Sequence, residues 1–315
     1  MALSPLLAAP STLLDMNTEL KLGFVGFGEA GYHLAKGLRG EGLNHICAFD
    51  IHTNTAGRGE KIRQRADETQ ARLYETNAQL AAECNVLLST VTANQAAAAA
   101  DQTAPHLTAD HIYADLNSIS PDLKHSIAQQ VETRGARFVE IAIMSPVPPH
   151  LHRVPMFLGG AHAQALVDLL SPYGMKLEII SEQIGAASAT KMCRSIIVKG
   201  LEALLLECVL GAVPYGADER VFATLEETMP GMNWKRLASY MVGRVIEHGE
   251  RRARELEEVA ATLRAIGVEP VMTEAIVKRQ DWGASLNLLS EFGGKPPDDY
   301  RAIVQAIAKN AGTNQ

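Results

Sequence analysis

Four residues near the amino end of the chain have the types and the spacing needed to bind a dinucleotide. Gly26, Gly28 and Gly31 follow a G-x-G-x-x-G spacing, and Asp50 stands 19 residues after the last glycine. In this motif the glycines permit a tight turn, admit a pyrophosphate next to the backbone and let a helix pack closely on a strand, while the acid accepts hydrogen bonds from ribose hydroxyls. Because a dinucleotide site makes hydride transfer the default chemistry, these residues predict a redox cofactor site.

The elements around these four residues occur in the order that the motif requires. Residues 22–25 form a short apolar strand, residues 32–39 a helical run with one apolar face, and residues 45–49 a second apolar strand that ends at Asp50. An ordinary structural turn is the alternative, but strand, loop, helix, strand and acid fall within one βαβ unit. We therefore assign cofactor binding to Gly26, Phe27, Gly28, Glu29, Ala30, Gly31 and Asp50.

Lys191 is the candidate general acid–base. It follows a run of small residues at 185–189, which would let a ligand approach closely, and Arg194 and Ser195 follow it at i+3 and i+4 on one helix face. A lysine in a partly desolvated cleft has a lowered pKa, which suits proton transfer to an alcohol or carbonyl oxygen. The alternative is a solvated lysine on a helix surface, and the spacing alone does not decide between the two.

The order of the predicted elements favours two domains. Strands at residues 86–91, 112–115 and 138–143, with shorter candidates at 156–158 and 177–180, alternate with helical stretches. This alternation predicts an α/β Rossmann domain with a doubly wound, mainly parallel sheet. Residues 185–213 form one long predicted helix, and a further helix covers residues 251–266. We therefore expect a flexible arm at residues 1–19, a dinucleotide-binding domain at 20–183 and an all-helical domain at 184–315.

Composition excludes several other classes of protein. The chain has 315 residues, a net charge of -7 and no basic stripe, which argues against nucleic-acid binding. It has no apolar run of the roughly 18 residues that a membrane helix needs. Four cysteines lie in apolar contexts without C-x-x-C pairing, so we expect reduced core thiols in a cytoplasmic protein and neither a disulfide nor a metal framework. These are Cys47, Cys84, Cys193 and Cys208.

Several motifs together resemble the β-hydroxyacid dehydrogenase family, which includes 3-hydroxyisobutyrate and 6-phosphogluconate dehydrogenases. They are the glycine loop and the segments 113–121 (YADLNSISP), 138–145 (FVEIAIMS) and 185–191 (GAASATK), and the resemblance spans roughly residues 20–290. It implies that Lys191 is the catalytic lysine and that Ser145 belongs to a substrate-binding turn. It also places Asn117 and Thr92 beside the cofactor. Asp50 matches the acid of the NAD-preferring members, and NADP is the alternative.

The chain departs from the family pattern in three places. Two glycines that follow the family's substrate-binding serine are replaced by Pro146 and Val147, so one backbone N–H donor is missing. Ser195 stands where the family has asparagine. Arg194 precedes it, and either grips a substrate carboxylate or faces solvent or a partner subunit. The family's Lys-Asp pair near the nicotinamide corresponds to the region of residues 252–256, where the roles of His248, Arg251 and Arg254 are open.

The resulting expectation is an NAD(P)-dependent oxidoreductase. Hydride would pass between the nicotinamide and the carbinol carbon of a small hydroxyacid-like substrate, with Lys191 and Ser195 catalytic and with Ser145, Arg194 and Asn117 binding an acidic substrate. Three alternatives are an imine reductase of the same fold, a decarboxylating 6-phosphogluconate-type dehydrogenase and a dinucleotide-binding protein without activity. The resemblance further implies a homodimer.

Overall fold

The computed structural model describes residues 19–312, so the predicted arm falls outside it except for its last residue. The chain divides into two compact units between Ala189 and Thr190. This division falls within a helix, whereas the sequence analysis placed the boundary before that helix. Each unit has its own buried core.

The first unit is built on an eight-stranded sheet with the order β3-β2-β1-β4-β5-β6-β7-β8. All neighbouring strands are parallel except β6 and β7. The strands are β1 Leu22–Val25, β2 Ile46–Phe49, β3 Arg72–Leu73, β4 Val86–Ser89, β5 Ile112–Asp115, β6 Arg137–Ile143, β7 Met156–Gly159 and β8 Leu177–Ser181. The predicted strands are thus confirmed, and the predicted Rossmann class with them.

The antiparallel pairing of β6 and β7 has a local cause. A parallel pair needs a long crossover, usually a helix, to return the chain to the starting edge of the sheet. Between Ile143 and Met156 the chain makes only a short 3₁₀ turn at Leu151–Arg153. The chain therefore reverses direction, and Ile143 pairs with Met156 at the reversal.

Two layers of helices cover the sheet. Side chains that alternate along the strands belong to two separate buried clusters, one with Phe24 and Leu88 and the other with Val25 and Leu87. The helices of this unit are α1 Glu29–Gly40, α2 Arg58–Thr69, α3 Asn77–Glu83, α4 Ala96–Thr103, α5 Pro121–Glu132 and α6 Ala163–Leu170. The long helix α7, Ala186–Ala212, begins at the end of this first unit.

The second unit is all-helical, as predicted. After α7 come α8 Asp218–Thr228, α9 Trp234–Ala265, α10 Val271–Ser285 and α11 Tyr300–Gly312. The sequence analysis began the α9 helix at residue 251, and this was wrong. The helix starts at Trp234, where the Asn233 side chain accepts a hydrogen bond from the Arg236 N–H and caps the first turn.

Two further expectations need correction. The two-residue strand β3 was not among the predicted strands, and it forms because Arg72 and Leu73 pair with the edge of β2. Cys193 was expected to be a core thiol, but it is exposed and Cys208 is partly exposed. Both cysteines lie on α7. Because a helix turns its side chains in different directions, some positions of α7 are buried and others are exposed.

Candidate active site

The glycine loop follows the carboxyl end of β1 and has the strain that only glycine tolerates at its first position. Gly26 has φ of 87°, and a Cβ there would lie 2.7 Å from Val91 Cγ1. Its N–H donates to the Phe49 carbonyl at 2.8 Å, which fastens the loop to the end of β2. A side chain at position 26 would therefore break both the turn and its contact with the sheet.

Gly31 lets helix α1 pack close to the sheet, and Gly28 leaves open space before the helix. A Cβ on Gly31 would lie 2.8 Å from Thr90 Oγ1 and 3.0 Å from the Gly26 carbonyl oxygen. Among the residues that the structure describes, a Cβ on Gly28 would meet nothing within 4 Å, and no side chain caps the first turn of α1. The N–H groups and the positive dipole end of this twelve-residue helix are thus available to a phosphate.

Asp50 fastens the glycine loop and keeps further hydrogen-bond acceptor capacity. Its Oδ2 accepts the Phe27 N–H at 2.7 Å, and its Oδ1 accepts the His52 N–H at 2.9 Å. A carboxylate has about four lone-pair sites, so two more hydrogen bonds can be accepted from ribose hydroxyls. A cavity of about 390 Å³ beside Asp50 is also lined by Thr53 and Arg63. The contact with Phe27 could not be read from the sequence.

Asn117 lies at the carboxyl end of β5, at the same edge of the sheet as the glycine loop. Its Nδ2 donates to Ser89 Oγ at 2.9 Å and to Asp115 Oδ2 at 2.7 Å, while its Oδ1 is buried and has no hydrogen-bond partner among residues 19–312. Asp115 in turn forms a fully buried ion pair with Lys124, with Oδ1 and Nζ 2.5 Å apart. The sequence analysis missed Asp115 and Lys124 as supports, although an acid at the end of a buried strand was a visible signal.

Thr92 and Ser145 lie on loops at this same edge. Thr92 follows β4, and its hydroxyl donates to Asn94 Oδ1 at 2.7 Å. Ser145 follows β6 and is partly buried. The proline-rich loop after Ser145 turns back on itself, because the Leu151 N–H donates to the Val147 carbonyl at 2.7 Å. This loop therefore differs from the glycine turn that the family resemblance implied. The first unit thus brings the glycine loop, Asp50, Thr92, Asn117 and Ser145 to one edge of the sheet.

A buried carboxylate that sequence analysis missed fixes the start of α7. Glu140, in the middle of β6, is fully buried. Its Oε1 accepts the Ala187 N–H at 2.7 Å and its Oε2 accepts the Ser188 hydroxyl at 3.1 Å. The negative charge lies at the positive end of the helix dipole, where it is favourable. The helix that carries Lys191 is therefore anchored one turn before that lysine.

Lys191, Arg194 and Ser195 all lie on α7 within the second unit. Lys191 and Ser195 are partly buried, whereas Arg194 is exposed. Lys191 lies near Glu255 of α9. Burial acts to raise the pKa of the Glu255 carboxyl, but the charge and hydrogen bond of Lys199, with smaller contributions from Arg251 and Lys191, hold that pKa below its ordinary value.

A buried polar network joins α7 to α9 and α10. Arg252 Nη1 lies 2.6 Å from both carboxylate oxygens of Glu202, and Gln280 Nε2 donates to the same carboxylate at 3.0 Å. Lys199 Nζ lies 2.7 Å from Glu255. Burial lowers the pKa of Lys199 and raises that of Glu202. Charged pairs of this kind occupy the region where the family's Lys-Asp pair was expected.

The three residues whose roles the sequence left open have separate contacts. Arg251 pairs with Glu255 on the helix surface, and Arg254 pairs with Asp281 at 2.6 Å. His248 is partly buried beside Glu247, and burial lowers its pKa. All of these contacts lie within the second unit, and those of Arg251 and Arg254 are surface ion pairs.

Comparisons with known proteins found a family match in each unit. Residues 21–167 match the NAD binding domain of 6-phosphogluconate dehydrogenase, and residues 212–283 match a domain of unknown function (DUF1932). Among solved structures, a conserved hypothetical protein from Sinorhizobium meliloti is 34% identical with a TM-score of 0.81, and the match covers 93% of this chain and 97% of that one.

Two further relatives connect the chain to hydroxyacid dehydrogenases. A conserved protein whose structure reveals similarity with 3-hydroxyacid dehydrogenases is 30% identical with a TM-score of 0.74, over 84% of this chain and 97% of that one. Mitochondrial 3-hydroxyisobutyrate dehydrogenase of Drosophila melanogaster is 27% identical over 68% of this chain and 64% of its own length. None of the helices within residues 19–312 is long and apolar enough to cross a membrane.

Proposed function

The chain belongs to the β-hydroxyacid dehydrogenase family, and we propose that it is an NAD(P)-dependent oxidoreductase acting on the CH–OH group of a small hydroxyacid-like substrate. The observation that carries this proposal is the cradle formed by Gly26, Gly28, Gly31 and Asp50. Its tight turn, its uncapped helix start and its carboxylate fit a pyrophosphate and a ribose. When bound, the nicotinamide supplies or accepts the hydride.

Lys191 is the proposed general acid–base. It takes or returns the proton of the substrate hydroxyl, and Ser195, one turn further along α7, orients that oxygen. Partial burial of both side chains supports this assignment, as does the anchoring of the helix start by Glu140. Ser145, Arg194 and Asn117 are proposed to bind the substrate. Arg194 is exposed, which suits a fork that meets an acidic group from solvent.

The cofactor assignment is tested by titrating the protein with NADH and NADPH. We propose NAD as the cofactor, because a carboxylate at Asp50 accepts ribose hydroxyls and repels a 2′-phosphate. In the Asp50→Ala variant we expect NADH to bind about 10- to 100-fold more weakly, as for the loss of hydrogen bonds to a charged group. Asp67→Ala, which removes an exposed acid of α2, is the matched control.

NADPH separates the two roles of Asp50 in this experiment. Loss of the hydrogen bond to Phe27 would loosen the loop and weaken both nucleotides equally, whereas loss of the ribose contact weakens NADH alone. If the wild-type protein binds neither nucleotide, the glycine loop is only a turn and the oxidoreductase proposal is wrong.

The catalytic assignment is tested by the Lys191→Ala variant. With a panel of small hydroxyacids we expect kcat/KM to fall about 100- to 10,000-fold, the usual effect of removing a general acid–base, while NADH binding is unchanged. Lys176→Ala, which removes an exposed lysine, should retain full activity. Turnover of an imine that does not depend on Lys191, or turnover of no substrate by the wild type, would contradict the proposal.

A further inference from the structure

Three residues of the first unit bring ligand atoms together at the edge of the sheet opposite to the glycine loop. His45 precedes β2, Cys47 lies in β2, and Cys84 ends helix α3. One imidazole nitrogen and the two sulfur atoms all lie within 4.8 Å of one another. Within residues 19–312 this is the one group of three or more such side chains at metal-binding distance.

The cluster combines buried thiols with access to solvent. Cys47 and Cys84 are 2% and 3% exposed, whereas the His45 side chain is 30% exposed. A small ion can therefore enter past the imidazole and reach thiols that bulk solvent does not touch. Because the thiols lie in an apolar layer, thiolate charge there needs a cation or donors close by.

Neighbouring groups suit such a site. Glu83 Oε1 lies 3.2 Å from His45 Nε2, so the carboxylate orients the imidazole, as a carboxylate does for a metal-binding histidine. The Tyr74 hydroxyl lies beside the Cys47 sulfur. Gly23 leaves the space that Cys84 occupies, since a Cβ there would lie 3.1 Å from its sulfur.

We propose that His45, Cys47 and Cys84 form a binding site for a thiophilic divalent cation such as Zn²⁺, with Glu83 holding the imidazole. Two thiolates and an imidazole are preferred zinc ligands. Around a tetrahedral zinc ion such atoms are roughly 3.3–3.8 Å apart, given metal–ligand bonds of about 2.0–2.3 Å. Atoms that already lie within 4.8 Å need only a small movement to close on the ion.

The arrangement favours a metal over a simple disulfide. A disulfide between Cys47 and Cys84 would have no use for the imidazole or for its carboxylate partner, yet the imidazole lies within 4.8 Å of both sulfurs and the carboxylate contacts the imidazole. The ion would join β2 to the end of α3, so its role is to fasten the sheet to its covering helix. This site is independent of the proposed redox function, because it lies away from the glycine loop and Asp50.

Cobalt binding to the reduced full-length protein tests the site. The background is Cys193→Ser with Cys208→Ser, which removes the two thiols outside the cluster. We expect one equivalent of Co²⁺ to produce the near-ultraviolet thiolate charge-transfer band and the visible bands of tetrahedral cobalt, and Zn²⁺ to displace it. Adding Cys47→Ser or His45→Gln should weaken binding at least 100-fold, and Glu83→Gln about 10- to 100-fold.

Folding of each variant is checked by its circular dichroism and by a cooperative melt. His45 is partly exposed, so His45→Gln decides the result if a cysteine variant does not fold. A cobalt signal that survives His45→Gln, a reduced protein that gives no thiolate band, or a Cys47–Cys84 disulfide that re-forms in preference to metal binding would overturn the proposal.

Discussion

At the scale of single residues, the candidate site contains side chains that are held by protein hydrogen bonds and still keep hydrogen-bond acceptors for a ligand. Asp50 fastens the glycine loop through Phe27 while it keeps acceptor capacity for a ligand. Asn117 is fixed by Ser89 and Asp115, and its buried side-chain carbonyl oxygen has no partner in the part of the chain that the structure describes. Positions of this kind are preorganised, because the protein has already met the entropy cost of fixing the side chain.

The buried pair of Asp115 and Lys124 gives a prediction at this scale. Both side chains are fully buried, and Lys124 Nζ also donates to the Asp115 carbonyl at 2.7 Å. Lys124→Met leaves the carboxylate buried without its cation, so we expect the free energy of unfolding to fall by about 3–5 kcal/mol. Urea denaturation measures this loss. Lys176→Met at an exposed position should change stability by no more than about 0.5 kcal/mol, and an equal effect of both variants would contradict the argument.

At the scale of secondary structure, helix α7 carries the proposed catalytic lysine and is positioned by a strand. Glu140 belongs to β6 and accepts hydrogen bonds from the first turn of α7. Gly185, with φ of 93°, makes the turn that directs the chain into this helix. A strand in the core of the sheet thereby sets where the helix begins.

Removing this anchor should loosen the helix start. In Glu140→Ala the Ala187 N–H and the Ser188 hydroxyl lose their acceptor, so we expect a loss of about 1–3 kcal/mol in stability. Amides at the start of α7 should also exchange faster with deuterium. Glu140→Gln keeps one acceptor oxygen and should lose less, while Glu178→Ala removes an exposed acid of β8 as the control. Unchanged exchange at the start of α7 in Glu140→Ala would show that Glu140 is not its anchor.

At the scale of the whole molecule, buried histidines make stability depend on pH. Burial lowers the pKa of His152, which is 3% exposed, and also lowers those of His162 and His248. His152 fits into the space left by Gly37, where a Cβ would lie 2.0 Å from its Nδ1. Its imidazole is therefore held in a packed layer that disfavours the charged form.

The direction of the pH effect follows from these shifts. Below the ordinary histidine pKa of 6.5 the unfolded chain binds protons that the folded chain does not, so stability falls as the pH is lowered. We expect Tm to decrease between pH 7.5 and 5.5. His152→Gln should make that decrease shallower even though it costs packing, whereas His150→Gln, at an exposed position, should leave the slope unchanged. Equal slopes in wild type and His152→Gln would contradict the assignment.

The sequence by itself determined the elements and their order. Apolar runs and turn residues within a few positions of each other predict β1, the glycine loop, α1 and Asp50, and the change to continuous helical pattern predicts the all-helical second unit. These signals are local, because the spacing of apolar residues in a helix or strand and the backbone freedom at a turn depend on residues that are close in sequence. That locality is why the strand, the glycine turn and the helix that follows it could be predicted from the sequence.

Only the tertiary structure decided which distant side chains meet. The antiparallel β7, the Asp115–Lys124 pair, the Glu140 contact with Ala187 and the cluster of His45, Cys47 and Cys84 all join separate segments. Cys84 stands 37 residues after Cys47, so no spacing rule links them. Such contacts are set by sheet order and by the packing of helices on the sheet, which local pattern does not encode.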